Sequence, residues 1–284
     1  MIQSFRQLKN RIKGIESTRK ITHAMEMVSA AKLNRARSDF VSSKAYFANL
    51  GRILSEFLSD TAPVSHPLLE TKTGTKQISL MVIASDAGLC SNYNHNIIRL
   101  AREFAEKAGK ANVRIIAVGK EVYSYFKKEG YAVENSYLGI RGKFSNEIAA
   151  DIAKTLKDSF LENGAGEVYA AYTHFKPNLR HLPAVERILP IAYPKKENRF
   201  YILEPDKTLL LGELIAKYFL YHIRGILLDA LTAEHSARML AMKLATDNAD
   251  ELIEVLTLQK NKARQFAITK EVLEIAMSAE ALKG

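Results

Sequence analysis

Several residue types and patterns are scarce or missing in this chain of 284 residues, and each absence narrows what the protein can be. The single cysteine, Cys90, excludes an internal disulfide and fits a reducing compartment. No apolar run approaches the ~20 residues that a membrane-spanning helix needs. The first twenty residues hold no continuous apolar stretch and no small-residue cleavage site, so we expect no signal peptide.

Motifs for nucleotide and zinc sites are also missing. Neither GxGxxG nor GxxxxGK[ST] occurs, so no phosphate-binding loop is predicted. The seven histidines include no HxxxH or HExxH pair, which excludes the usual zinc helix. His174 and His181 flank Pro177 and are interpreted as surface histidines of a loop. These absences argue against an enzyme with its own active site, and we expect no cofactor and no bound metal.

Two residues in the loop "ASDAGLCSNYN" are candidates for chemistry. Asp86 could be a catalytic or metal-binding carboxylate, but a polar residue that caps the next helix is the alternative. Cys90 could be a nucleophile, but no base is identifiable, and a small buried loop residue is the alternative.

Proline is absent from both ends of the chain. Residues 2–58 and 208–282 are free of proline and nearly free of glycine, and as single helices they would be ~85 and ~110 Å long. The first carries a heptad-like stripe, typical of a helix that packs lengthwise on another helix. Its members are Phe5, Leu8, Ile12, Ile15, Thr22 and Met25.

The middle of the chain alternates between strand and helix patterns. Lys76–Ser85 is a nearly continuous apolar run, as expected for a strand buried on both faces. Helical stretches over 92–109, 121–130 and 145–161 separate further strands in "VRIIAVG", "EVYAAYTHF" and "AVERILPI". The predicted fold is a doubly wound, Rossmann-like α/β domain over 72–205, between terminal helices over 1–58 and 208–284 that pair as an antiparallel coiled coil.

The charge is uneven, and it leaves two interpretations open. Residues 1–58 hold 11 basic and 4 acidic side chains, while residues 208–284 hold 9 and 10. A basic arm could contact nucleic acid phosphates, but it equally fits an acidic protein surface.

The second terminal helix carries alanine at every fourth position from 233 to 249. Small side chains let two helices approach closely. Few large apolar side chains on the outward face would also keep such a helix from adhering to a surrounding surface. Arg238 stands among these alanines, and an acidic partner surface would explain its charge.

Several long segments together resemble the gamma subunit of the proton-translocating ATP synthase. They are "RKITHAMEMVSAAKLNRA", "SDAGLCSNYN", "LEPD", "SARMLAMKLATDNADELI" and "QKNKARQFAITKEVLEI", and the resemblance covers essentially the whole chain. The chain departs from the family at His23, where lysine is common, and at Ala87 and Ser91, where a basic residue and glycine are common.

The resemblance implies a rotor shaft without catalytic residues of its own. In the family, the coiled coil turns inside a hexamer of alpha and beta subunits, driven by the c-ring of the membrane sector, with the epsilon subunit beside it. Arg264, Gln265 and Thr269 align with residues that contact the beta catch loop. Met25 and Arg238 align with positions that face the acidic beta lever.

The resemblance also implies a foot contact and a location. Glu204 in "LEPD" aligns with a residue near the c-ring and epsilon. The expected location is the cytoplasmic side of the bacterial inner membrane, as a peripheral protein, with no nucleic acid partner. The alternative that the residues leave open is a free coiled-coil adaptor or nucleic-acid-binding protein with an α/β insert.

Overall fold

The computed structural model describes residues 5–59, 66–72, 74–140, 145–176, 181–192 and 207–281. Within these ranges the chain forms a long helix, then five strands and three shorter helices, then a second long helix. The elements are α1 (Phe5–Ser59), β1 (Ile78–Ile83), α2 (Tyr93–Ala108), β2 (Val113–Val118), α3 (Lys120–Lys128), β3 (Ala132–Tyr137), α4 (Asn146–Leu161), β4 (Glu167–Phe175), β5 (His181–Leu189) and α5 (Lys207–Ala281), with one 3-10 turn at Lys110–Asn112. No helix in these ranges is long and apolar enough to cross a membrane.

The five strands form one sheet in the order β3-β2-β1-β4-β5. The first four strands of the chain run parallel, and β5 returns antiparallel to β4. β1 and β2 lie at the centre and are buried almost throughout, which explains their continuous apolar sequences.

Helices cover both faces of the sheet. Alternate residues of β1 point to opposite faces, so Leu80 and Met81 belong to different cores. On one face α2 and α3 supply Ala101 and Phe126, and on the other α4 and α5 supply side chains such as Leu156. This doubly wound arrangement confirms the predicted fold class.

Strand β3 was not predicted from the sequence. Its segment, "AVENSY", has no fully buried residue and lies at the edge of the sheet. An edge strand with polar side chains lacks the apolar run that identifies a central strand. β5 also begins at His181, three residues before the predicted segment.

The chain divides into two compact units, and both contain antiparallel helix pairs. In the unit of Met1–Ser29 and Met239–Gly284, Leu8 packs with Leu256, and Thr22 accepts a hydrogen bond from Thr246 at 2.8 Å. Residue numbers rise along α1 as they fall along α5, so the helices are antiparallel, as predicted.

The second unit, Ala30–Arg238, contains the sheet and its own pair of helix segments. The ring of Phe47 in α1 stacks on Tyr218 and His222 of α5, each with ring centroids 4.9 Å apart. Aromatic side chains therefore hold the helices together beside the sheet, whereas the first unit uses aliphatic and threonine side chains.

Candidate functional site

The carboxyl edge of the sheet is where a doubly wound fold usually binds ligands, in the crevice where the strand order reverses. Here the order reverses between β1 and β4. The loop after β1, Ser85–Asn92, and the end of β4 at Phe175 therefore border this crevice.

Asp86 holds three strand ends together at this edge. Its Oδ1 accepts hydrogen bonds from the backbone N–H of Lys120, at 3.0 Å, and of Gly139, at 3.1 Å. Lys120 begins α3 and Gly139 follows β3, so one carboxylate joins the loops after β1, β2 and β3. Asp86 is thus a structural cap, and the helix it caps is α3 rather than the next helix, α2.

The loop after β1 is tightly folded around a buried thiol. Leu89 and Ser91 have positive φ values, 61° and 53°, a conformation that side chains other than glycine rarely adopt. Cys90 between them is 1% exposed, and burial raises the pKa of its thiol. A protonated, enclosed thiol is a poor nucleophile, and the structure therefore favours the structural interpretation of Cys90.

Helix α5 covers this loop. The hydroxyl of Tyr93, at the start of α2, donates to the carbonyl of Ala230 at 2.9 Å. Ala233 and Ala237 are buried against Cys90 and Tyr93. The first alanines of the stripe therefore let α5 approach the loop after β1 and the start of α2. The helix occupies the place where this fold usually binds a phosphate.

Arg238 fastens the same stretch of α5. Its Nη1 lies 2.7 Å from Glu234 Oε1, and its Nη2 donates to the carbonyl of Ala87 at 3.1 Å. The side chains of Arg238 and Glu234 are 12% and 13% exposed. Burial raises the pKa of Glu234, against the opposing effect of the guanidinium. The guanidinium of Arg238 therefore already has a carboxylate and a carbonyl partner within this chain.

A second charged cluster lies at the end of β4. His174 Nδ1 is 2.9 Å from Asp229 Oδ2 on α5, and Nε2 is 3.0 Å from Glu186 Oε1 on β5. Hydrogen bonds to the two carboxylates raise the pKa of His174 to about 9. His174 lies in β4, inside the predicted strand "EVYAAYTHF", and His181 begins β5. Both side chains are half-buried, so the interpretation of the two as surface histidines was wrong. The sequence offered no signal for the cluster, since its members are 12 and 55 residues apart.

Four further predicted contact residues lie in the unit of Met1–Ser29 and Met239–Gly284. Met25 is half-buried in α1. Arg264, Gln265 and Thr269 lie in α5 with exposed side chains, and the Thr269 hydroxyl donates to the carbonyl of Gln265 at 2.9 Å. Glu204 lies outside the described residues.

The end of α5, beyond the alanine stripe, presents large apolar side chains. Residues 264–281 are all exposed. The large apolar side chains of this end are at least half exposed: Phe266, Ile268, Val272, Leu273, Ile275 and Met277. A helix end of this kind needs a covering surface.

The described part of the chain brings together no group of three His, Cys, Asp or Glu residues suited to a metal ion. At the carboxyl edge, α5 packs over the crevice and is held to the sheet. The acidic and basic side chains described there pair with one another or with the backbone.

Comparisons with known proteins agree on one family. A family model described as ATP synthase matches residues 4–282. The ATP synthase gamma chain of Moorella thermoacetica is 38% identical over 280 residues, covering 98% of this chain and 99% of that protein. The gamma chain of Geotalea uraniireducens is 36% identical over 287 residues, covering 99% of each. In a structure of the Euglena gracilis mitochondrial ATP synthase containing OSCP, F1 and the c-ring, a chain with 17% identity matches the fold with a TM-score of 0.69, over 98% of this chain and 94% of that chain.

Proposed function

This chain belongs to the family of ATP synthase gamma chains, and from that premise we propose that it is the central rotor shaft of an ATP synthase. It couples proton-driven rotation of a membrane c-ring to ATP synthesis at catalytic sites on an alpha/beta hexamer. Its partners are the alpha and beta subunits, the epsilon subunit and the c-ring, and it binds no nucleic acid.

The observation that carries this proposal is the form of α5. It is one uninterrupted helix of 75 residues, about 110 Å long, paired with α1 over much of its length and exposed from residue 264 onward. Such a helix buries little of its own end, so the end serves contact with another molecule. An alpha/beta head that surrounds the end would cover its apolar side chains.

The chain acts mechanically in this proposal and has no catalytic residues. Asp86 is occupied by two backbone donors, Cys90 is enclosed, and α5 lies across the crevice where this fold binds nucleotides. We therefore assign catalysis of the complex to the other subunits.

The proposed contacts differ in how accessible they are. Arg264, Gln265 and Thr269 are exposed on one stretch of α5, which supports contact with the beta catch loop. Arg238 already binds Glu234, so an acidic beta lever would have to share its guanidinium. Met25 is the second residue proposed to face that lever, and Glu204 is proposed to contact the c-ring and epsilon.

The three predicted segments have different roles in the proposed rotor. Residues 1–58 and 208–284 form the shaft, and residues 72–205 form the domain that meets the membrane ring. The protein is then peripheral, on the cytoplasmic side of a bacterial inner membrane.

Coexpression with alpha and beta chains tests the proposal. A stable complex of the three chains should form, and its ATPase activity should depend on this chain. A chain that purifies as its own oligomer, and binds nucleic acid with an affinity that falls steeply as salt rises, would instead be the adaptor or nucleic-acid-binding protein.

A further inference from the structure

The cluster around His174 joins three elements of the fold. His174 lies on β4, Glu186 on β5 and Asp229 on α5. The imidazole bridges the two carboxylates, with one nitrogen 2.9 Å from Asp229 and the other 3.0 Å from Glu186. Through this ring the sheet is bound to the long helix.

The second oxygen of each carboxylate also has a donor. Asp229 Oδ1 accepts from the backbone N–H of Phe175 at 2.7 Å, and Glu186 Oε2 accepts from the hydroxyl of Tyr172 at 2.8 Å. The network is therefore complete only if both nitrogens of His174 donate. A neutral imidazole has one N–H and would turn a lone pair toward one of the carboxylates.

We propose that protonated His174 is a latch that fastens α5 to the sheet, and that loss of its proton loosens the shaft from the α/β domain. His174 is a positioning residue, since it acts by fixing a helix. The inference rests on the proposed shaft function, because a loose latch matters where torque passes between the sheet and α5.

His174, Glu186 and Asp229 line a cavity with a volume of about 270 Å³. Other charged and titratable groups line the same cavity. Lys44 lines it from α1, and His222 lines it from α5. Burial lowers the pKa of His222 to about 4, and burial raises the pKa of Tyr172. His222 and Tyr172 are therefore uncharged between pH 6.5 and 9.5, the range in which His174 exchanges its proton.

Glu186 retains its charge in this range. Hydrogen bonding to His174 lowers the pKa of Glu186 below its ordinary value. Its side chain is therefore a carboxylate throughout the range in which His174 exchanges its proton. When His174 loses its proton, two negative groups face a neutral ring, and the attraction that joins β4 to α5 is lost.

The titration of His174 is the first test, and it uses the full chain alone. Nitrogen NMR of histidine-labelled protein should show both ring nitrogens of His174 protonated at pH 7.5, with a pKa near 9. A pKa near the ordinary value of 6.5, or a neutral ring at pH 7.5, would overturn the latch.

Torsional compliance of the assembled complex is the second test. With the alpha/beta head immobilised and a bead on the α/β domain, the angular variance of the bead during a pause measures how firmly the shaft is held. Wild type should show low variance at pH 7 and higher variance at pH 9.5. His174→Gln should show high variance at both values, and His174→Lys should keep it low at both, because lysine remains charged.

The controls separate the latch from folding and from the shaft function. His95 in α2 is exposed, and His95→Gln should behave as wild type. Equal variance in wild type, His174→Gln and His174→Lys at both pH values would overturn the inference. A wild-type complex that hydrolyses ATP without turning the bead would instead refute the shaft function, and the NMR titration would still decide the state of His174.

Discussion

The guanidinium of Arg238 lies 2.7 Å from the carboxylate of Glu234, one turn earlier on α5, and both side chains are almost enclosed by the protein. The pair lies where α5 passes over the loop after β1, and Arg238 also binds the carbonyl of Ala87 in that loop. Arg238, which the sequence predicts to contact another subunit, thus also attaches α5 to the loop after β1 within this chain.

We predict that Arg238→Met destabilises the full chain by about 2–4 kcal/mol, because it leaves the carboxylate of Glu234 enclosed without its partner. Methionine retains much of the aliphatic stem, so lost packing is a minor part of the effect. Urea unfolding measures the change. Adding Glu234→Gln to Arg238→Met should recover part of the loss, and Arg52→Met, in an exposed pair with Glu56, should cost under ~1 kcal/mol. Equal losses in Arg238→Met and Arg52→Met would show that the enclosed pair has no special role.

Arg264→Ala should weaken torque transfer without unfolding the chain. Arg264 is exposed on α5, and alanine is a better helix former, so the helix is preserved. In the proposed complex the guanidinium holds a beta subunit loop through directed, charge-assisted hydrogen bonds, worth about 1.5–3 kcal/mol when partly desolvated.

ATP-driven proton pumping by vesicles containing the assembled complex measures the effect of Arg264→Ala. We expect slower pumping with near-normal assembly, and Lys270→Ala, an exposed cation paired with Glu274 on the same helix, is the control. Pumping at the wild-type rate would remove Arg264 from the contact, and failure to assemble would assign it a structural role.

The isolated chain should not bind ATP tightly. The loop after β1 has no phosphate-binding glycine motif, and α5 packs against it through Tyr93, Ala233 and Ala237. Calorimetry with purified protein and Mg-ATP should detect no binding at micromolar concentrations. Micromolar affinity would contradict the assignment of this edge to helix attachment.

The free energy of unfolding should fall on both sides of neutral pH. The folded pKa of His174, about 9, lies above its unfolded value of 6.5, so its stabilisation is fully present below pH 6.5 and is lost as the pH rises through 9. His174 is half-buried, and solvent screening limits the loss to about 1–2 kcal/mol. Urea unfolding at pH 7.5 and 10 should show this loss in wild type and less of it in His174→Gln. Parallel pH profiles for these two proteins would contradict the assignment.

On the acid side, His222 and His235 should govern the loss of stability. Burial lowers the pKa of both to about 4, so the folded chain resists their protonation and stability falls as the pH drops from 6.5 toward 4. His222→Phe should flatten this limb while keeping the stacking on Phe47. An unchanged acid limb in His222→Phe would refute the role of His222.

The sequence predicted the elements whose signals are local. Absence of proline indicated the long helix α1, and the continuous apolar run identified β1. Strand β3 was missed because an edge strand with polar side chains has no such run. The clusters around Arg238 and His174 could not be predicted, because their partners Ala87, Glu186 and Asp229 come together only through the sheet topology.

Rotation of the α/β domain against a fixed alpha/beta head would show that this chain is a rotor shaft. Lys107→Cys in α2 supplies an exposed thiol for a bead, and the native Cys90 is 1% exposed and should not compete for the label. We predict that the bead turns in one direction when ATP is added and stops when ATP is removed. A complex that hydrolyses ATP while the bead remains still would contradict the account.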